Sequence, residues 1–167
     1  MILNIFNFAV NNSVNMIQRI QSIYLLIADL LIASLFIAPL AEFAGKDGRL
    51  FLLTINGVYS EETKDVISRS LPLFILVCLI LILLTVTIFQ YKNRRRQINI
   101  SYLTVFLLFG LTAAIFYSIW RNDTIFEGTF ALKMYFTFPL ISVIFIFLAI
   151  KGIAKDEHLV KSIDRIR

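Results

Sequence analysis

Charged residues are scarce in this sequence of 167 residues, of which only 16% are Asp, Glu, Lys or Arg and 59% are hydrophobic. The charges form short blocks that separate four long apolar runs, as expected when a lipid bilayer is the solvent. A soluble domain cannot bury so large an apolar fraction. The scarcity of charge therefore excludes an ordinary soluble protein and predicts a membrane protein.

Cysteine and histidine are represented by one residue each. Cys78 lies within an apolar run, so the sequence offers neither an intrachain disulfide nor a thiolate cluster for a metal ion. His158 lies outside the apolar runs, whereas haem ligation would need a histidine within a span. The metalloprotease motif, the nucleophile elbow and the glycine-rich phosphate loop are also missing. We therefore expect no catalytic residue, no cofactor and no metal.

The four apolar runs are long enough to cross a hydrocarbon core of ~30 Å as helices that rise ~1.5 Å per residue. The sequence thus predicts an all-α membrane protein with four transmembrane helices, at about residues 20–41, 71–91, 98–120 and 133–150. Pro39 is expected to mark the end of the first helix, and Pro139 to kink the fourth. Residues 16–167 would form this single domain, with residues 1–15 either an N-terminal extension or a stretch before the natural start.

Four of the five residues from Lys92 to Arg96 are basic, and they separate the second and third apolar runs. Lys and Arg concentrate in cytoplasmic loops, so this loop is predicted to face the cytoplasm. With the cation before the first run and five in the tail, residues 151–167, ten of the 16 Lys and Arg share that side. We expect a multi-pass protein of the bacterial inner membrane with both termini cytoplasmic. The residues predicted to set this topology and contact lipid headgroups are Arg19, Lys92, Arg94, Arg95 and Arg96.

The longest polar segment, residues 42–69, has nearly balanced charge and contains a hairpin signal. Residues 49–55 and 58–60 flank Asn56-Gly57, which supplies the two positive φ angles of a type I′ turn. We therefore expect a small hairpin in the first periplasmic loop, with which the Thr-Ile-Phe run at 124–126 could pair. An isolated hairpin is marginally stable. This segment is accordingly either an ordinary structured loop or a contact region for a partner.

The tail, residues 151–167, is basic and amphipathic, with Leu159, Ile163 and Ile166 on one helical face. Such a segment can lie on an anionic membrane surface, or it can dock against the loop at 92–96 or a partner. The expected partners are therefore the lipid bilayer and a membrane protein that contacts residues 42–69 or 151–167. No nucleic acid is expected despite the net charge of +5, because a soluble basic face with stacking aromatics is missing.

Asp29 is the one acid within a predicted span, and it makes a candidate functional acid because ionising a carboxyl group in hydrocarbon is costly. It has no obvious basic partner, and it lies near the inner end, where water can reach it. A structural or hydrated aspartate and a role in transport both stay open.

Helix three carries two further patterns. Gly110, Ala114 and Ser118 recur every four residues, the spacing that lets helices approach closely, either within the monomer or in a dimer. Aromatic residues at the outer ends of helices three and four fit an interfacial belt. They are Tyr117, Trp120, Tyr135 and Phe138.

Three segments together resemble a known family. They are MIQRIQSIYLL at 16–26, YKNRRRQI at 91–98 and KDEHLVKSIDRIR at 155–167. In this order they are similar to the Bacteroidota inner-membrane proteins grouped as domain of unknown function 4293, over residues 16–167. The resemblance implies a four-helix protein without an assigned biochemical role, so it transfers no catalytic or binding residue.

We therefore expect a non-enzymatic accessory or assembly subunit of an envelope complex, because the chain is small, has a structured outer segment and lacks catalytic groups. The alternative is a small transporter, channel or ligand-sensing membrane protein that works through Asp29. A membrane enzyme is a distant third hypothesis, since no nucleophile and base can be paired.

Overall fold

The computed structural model describes residues 20–45, 49–63, 65–91, 93–126 and 129–164, with backbone alone at 125–126 and 158–164. This part of the chain contains four helices. Helix α1 covers residues 20–33 and continues into a 3₁₀ turn, Ser34–Phe36. A second 3₁₀ turn, Met134–Thr137, precedes the last helix. The other helices are α2 (Leu71–Phe89), α3 (Arg94–Phe126) and α4 (Phe138–Asp164).

The segments outside these helices form a five-stranded antiparallel sheet in the order β4-β3-β2-β1-β5. The strands are β1 (Ala41–Ala44), β2 (Leu50–Thr54), β3 (Gly57–Ser60), β4 (Val66–Arg69) and β5 (Thr129–Leu132). The prediction of an all-α protein is therefore wrong. The sheet forms because two outer segments that are far apart in sequence lie side by side, with β1 paired to both β2 and β5.

The prediction of four transmembrane helices is also wrong for the described residues. Three helices are long and apolar enough to cross a membrane, namely Leu71–Phe89, Arg94–Thr124 and Met134–Glu157. The described run of the first helix, Ile20–Phe36, is shorter, and at ~1.5 Å per residue it reaches only about 25 Å. It ends before Pro39, which disfavours helical backbone at the preceding residue. Residues 41–44 then join the sheet instead of extending the helix.

The expected hairpin is present as strands β2 and β3, but its turn differs from the prediction by one residue. Thr54 pairs with Gly57, so Ile55 and Asn56 form the two-residue turn and Gly57 belongs to β3. The Thr-Ile-Phe run at 124–126 lies at the end of α3 and does not pair. The strand of the second outer segment is β5, and it pairs with β1 rather than with the hairpin.

The ends of the remaining helices also differ from those expected. Helix α3 begins within the basic block at Arg94 and continues to Phe126, and α4 extends from Phe138 to Asp164. Pro139 is the second residue of α4, where a missing N–H is tolerated, so it does not kink the helix interior. The tail up to Asp164 is therefore part of helix α4.

One hydrophobic core joins the sheet to the helices. Phe43, Leu53 and Val58 are almost fully buried, and they belong to the same contiguous cluster as Leu35 of the first helical segment and Ile115 of α3. Along β1 buried and half-buried residues alternate, as they do in a strand with one face covered. The sheet is therefore a layer packed on the helices and not a detached loop.

The chain connections place this sheet at one end of the helices. Strands follow α1 and α3 and precede α2 and α4. We call this the sheet end. The opposite end contains the last turn of α2 and the first turn of α3 with Arg94, Arg95 and Arg96. We call it the basic end.

Candidate functional site

The residues predicted to set topology are only partly described. Arg94, Arg95 and Arg96 form the first turn of α3, where Arg94 is half-buried and the other two are exposed. Arg19 and Lys92 lie outside the described residues. Three cations in a first helical turn oppose the helix dipole. Their position therefore adds nothing to helix stability.

Two buried glutamines at the basic end were missed by the sequence analysis. The Gln21 side chain donates a 2.9 Å hydrogen bond from Nε2 to Oδ2 of Asp156, which joins α1 to α4. Gln97 donates a 3.0 Å bond from Nε2 to the carbonyl oxygen of Thr87, which joins α3 to α2. All four residues are at most 6% exposed. Because a buried polar group is costly unless it is bonded, these contacts fix how the helices meet.

Gly152 provides the space for the first of these contacts. A Cβ atom at this position would lie 2.9 Å from Cγ of Gln21. The glycine lies four residues before Asp156, and therefore one helical turn away on the same face of α4. A glycine one turn before an acid is the sequence signal that could have indicated a buried contact here.

Asp29 lies on α1, close to the contact between α1 and α4. Its Oδ1 atom is buried and has no hydrogen-bond partner among the described residues. The neighbouring residue, Ala28, accepts a 3.4 Å hydrogen bond through its carbonyl oxygen from Ser142 Oγ of α4. No cation within the described ranges forms an ion pair with Asp29. The described residues also contain no group of three or more His, Cys, Asp or Glu that could hold a metal ion.

A cavity of about 300 Å³ lies at the sheet end, between β4, the first turn of α2 and the last turns of α3. Two arginines line it, Arg69 at the end of β4 and Arg121 on α3. Ala114 and Ser118 also line it, whereas Gly110 is exposed, and a Cβ atom added there would have no neighbour within 4 Å. Within the monomer, Gly110 therefore makes no tight helix contact, whereas Ala114 packs against the hydrophobic core as well as lining the cavity. A contact of this row in a dimer stays a prediction.

An ion pair at the same end connects the two outer segments. Lys133 Nζ contacts Oε2 of Glu42, and the Lys133 backbone N–H donates a 3.0 Å hydrogen bond to the carbonyl oxygen of Leu40. Both side chains are partly exposed to solvent. The contact links the start of β1 to the residue that follows β5.

The family comparison agrees with the resemblance seen in the sequence. Residues 17–166 match the family model described as a domain of unknown function, DUF4293. The chain belongs to this family. No curated protein matches the chain. The match to the DUF4293 family covers nearly the whole chain, but it assigns neither an activity nor a site residue.

Proposed function

We propose that this DUF4293 protein is an integral protein of the bacterial inner membrane that acts as a non-enzymatic accessory or assembly subunit of an envelope complex. The observation that carries the proposal is the five-stranded sheet at one end of three candidate spans. A layer of this kind is not needed to cross a bilayer. Its natural use is to present a fixed surface outside the membrane to another protein.

We further propose that the basic end faces the cytoplasm and the sheet end the periplasm. The exposed cations at the basic end, Arg95, Arg96, Lys151 and Lys155, support this orientation, because Lys and Arg concentrate in cytoplasmic segments. The sheet end combines cations with acids such as Glu42. A surface of mixed charge does not favour the cytoplasmic side in this way.

The outer edge of β5 is the best candidate for contact with a partner. An edge strand has unpaired backbone groups that can pair with another chain, and charged residues or proline usually protect it. All four residues of β5 are exposed, and none is charged or proline. The other edge strand, β4, ends at Arg69 and borders the cavity. We therefore expect an extended segment of a partner membrane protein to add to β5.

Site-specific photocrosslinking in living cells tests this proposal. A photoreactive phenylalanine analogue at Phe130 in β5 should capture one discrete protein at native expression. The matched control is Phe106, which is a more exposed phenylalanine in the middle of α3 and should yield only lipid adducts. Crosslinks from Phe106 but none from Phe130, or recovery of the protein alone, would contradict a docking role for the sheet.

The buried, unpartnered Oδ1 atom of Asp29 favours a second candidate function, a small transporter, channel or ligand-sensing protein. An acid within an apolar helix commonly marks an ion or proton pathway. In proteoliposomes, Asp29→Asn should then abolish proton or cation flux while the protein stays folded. Unchanged flux in this variant would exclude the transport role and leave the accessory role standing.

A further inference from the structure

The cavity at the sheet end has the charge of an anion-binding site. Two arginines line the cavity, and none of the described residues that line it is acidic. Within the described part of the chain, neither Arg69 nor Arg121 forms an ion pair with a carboxylate. Guanidinium groups bind phosphate through paired, charge-assisted hydrogen bonds. Two of them beside one cavity therefore attract a phosphate-bearing anion.

The first turn of α2 adds to this positive field. Ser70 and Pro72 line the cavity, and the Ser70 side chain makes no capping hydrogen bond to the helix. Pro72 has no N–H and the Ser70 N–H donates to the carbonyl oxygen of Asn56, so the helix start favours a nearby anion mainly through its dipole. On α3, the hydroxyl of Ser118 and the amide nitrogen of Asn122 donate to carbonyl oxygens of their own helix. The two arginines are thus the main polar partners for an anion.

The other residues that line the cavity also admit a ligand with an apolar part. Leu73 and Ala114 give the cavity an apolar wall. Tyr117 lines it too, and its ring centroid lies 6.4 Å from that of exposed Trp120. Tyr and Trp concentrate at the level of lipid headgroups. A cavity at that level is open to molecules that carry a phosphate on an apolar body.

We propose that the cavity between β4, α2 and α3 is a binding site for a phosphate-bearing anion, held by Arg69 and Arg121. Its volume of about 300 Å³ is at the lower end of the range of small-molecule sites and admits a phosphoglycerol group. Such a group can come from an anionic phospholipid or from a soluble phosphate ester. The shared chemistry is the phosphate, and the source is decided by experiment.

Trp120, the one tryptophan of the chain, provides a local reporter at this end of α3. The full-length protein in mild detergent is titrated with phosphatidylglycerol, with zwitterionic phosphatidylcholine and with soluble glycerol phosphate, while Trp120 fluorescence is recorded. We expect saturable binding of a phosphate anion and at least tenfold weaker binding in Arg69→Gln/Arg121→Gln, because two charge-assisted contacts are lost. The control, Arg49→Gln, removes an exposed arginine that does not line the cavity and should bind normally.

A second pair of variants tests the cavity itself. Ala114→Phe fills it and should block binding with both arginines present, whereas Ala113→Phe changes the exposed neighbouring position and should not. Binding of phosphatidylglycerol alone identifies a lipid headgroup as the ligand, and comparable binding of glycerol phosphate identifies a soluble ester. Equal binding of phosphatidylcholine, or equal binding by wild type and both test variants, overturns the proposal. Arg69→Lys/Arg121→Lys retains the charge and should recover part of the affinity if the loss is electrostatic.

Discussion

The two ends of the helices are held together by different physical means. At the basic end, buried side chains bond one helix to another, as Gln21 does to Asp156 and Gln97 to Thr87. At the sheet end, backbone pairing builds a layer that packs on the helices, and the described charged side chains stay at least partly exposed. The basic end therefore fixes helix packing, while the sheet end keeps charged groups available for contacts with other molecules.

A substitution at Gly57 should disrupt the backbone pairing of the sheet end, and it is expected to have the largest effect on stability. Its φ angle is +150°, and an added Cβ atom would lie 2.0 Å from the carbonyl oxygen of Ser68 in β4. Gly57→Ala should therefore separate β4 from β3 and lower the free energy of unfolding by about 3 kcal/mol or more. Chemical unfolding in detergent, followed by circular dichroism, measures the loss.

The matched control for this substitution is Gly110→Ala. Gly110 lies in α3 with nothing within 4 Å of an added Cβ atom, so alanine should leave stability unchanged or raise it by about 1 kcal/mol. Equal stability of the two variants would show that close approach of β4 to β3 at Gly57 is not needed. Because β4 forms one wall of the cavity, the affinity for the phosphate anion should fall in Gly57→Ala and not in Gly110→Ala.

The helices could be predicted from the sequence to a large extent because apolar runs are local signals. The β2–β3 hairpin was also predictable, since Asn-Gly indicates a turn within a few residues. The β1–β5 pairing was not, because it joins Ala41 to Leu132, 91 residues later, and no local pattern links the two segments. Alternation over four residues is too short to separate a strand from the end of a helix.

Whether a candidate site could be predicted also depends on whether its residues are close together in the sequence. The basic block from Lys92 to Arg96 is contiguous and therefore visible in the sequence. Arg69 and Arg121 are 52 residues apart and line one cavity only because β4 lies beside the end of α3. Two isolated arginines in polar segments carry no sign of a shared cavity.

The contact between Gln21 and Asp156 tests whether buried side-chain hydrogen bonds stabilise the basic end. Gln21→Leu leaves a carboxyl group that is 4% exposed without its donor, and it should cost about 1–3 kcal/mol in unfolding free energy. The double variant Gln21→Leu/Asp156→Leu replaces both partners by apolar groups and should recover much of that loss. Unfolding curves of wild type, both single variants and the double variant test this. Additive losses would mean that the two side chains are not coupled.

The Glu42–Lys133 ion pair should show the smallest effect, although it links the two outer segments. Both side chains are partly exposed, so water screens their attraction and the ordering of two long side chains offsets part of it. A double-mutant cycle with Glu42→Gln and Lys133→Met should give a coupling of about 0.2–1 kcal/mol that shrinks as salt is raised. A coupling as large as that of Gln21 with Asp156, or one insensitive to salt, would contradict the distinction between the two ends. A coupling that is large and falls with salt would mean that charge, and not only backbone pairing, holds the sheet end together.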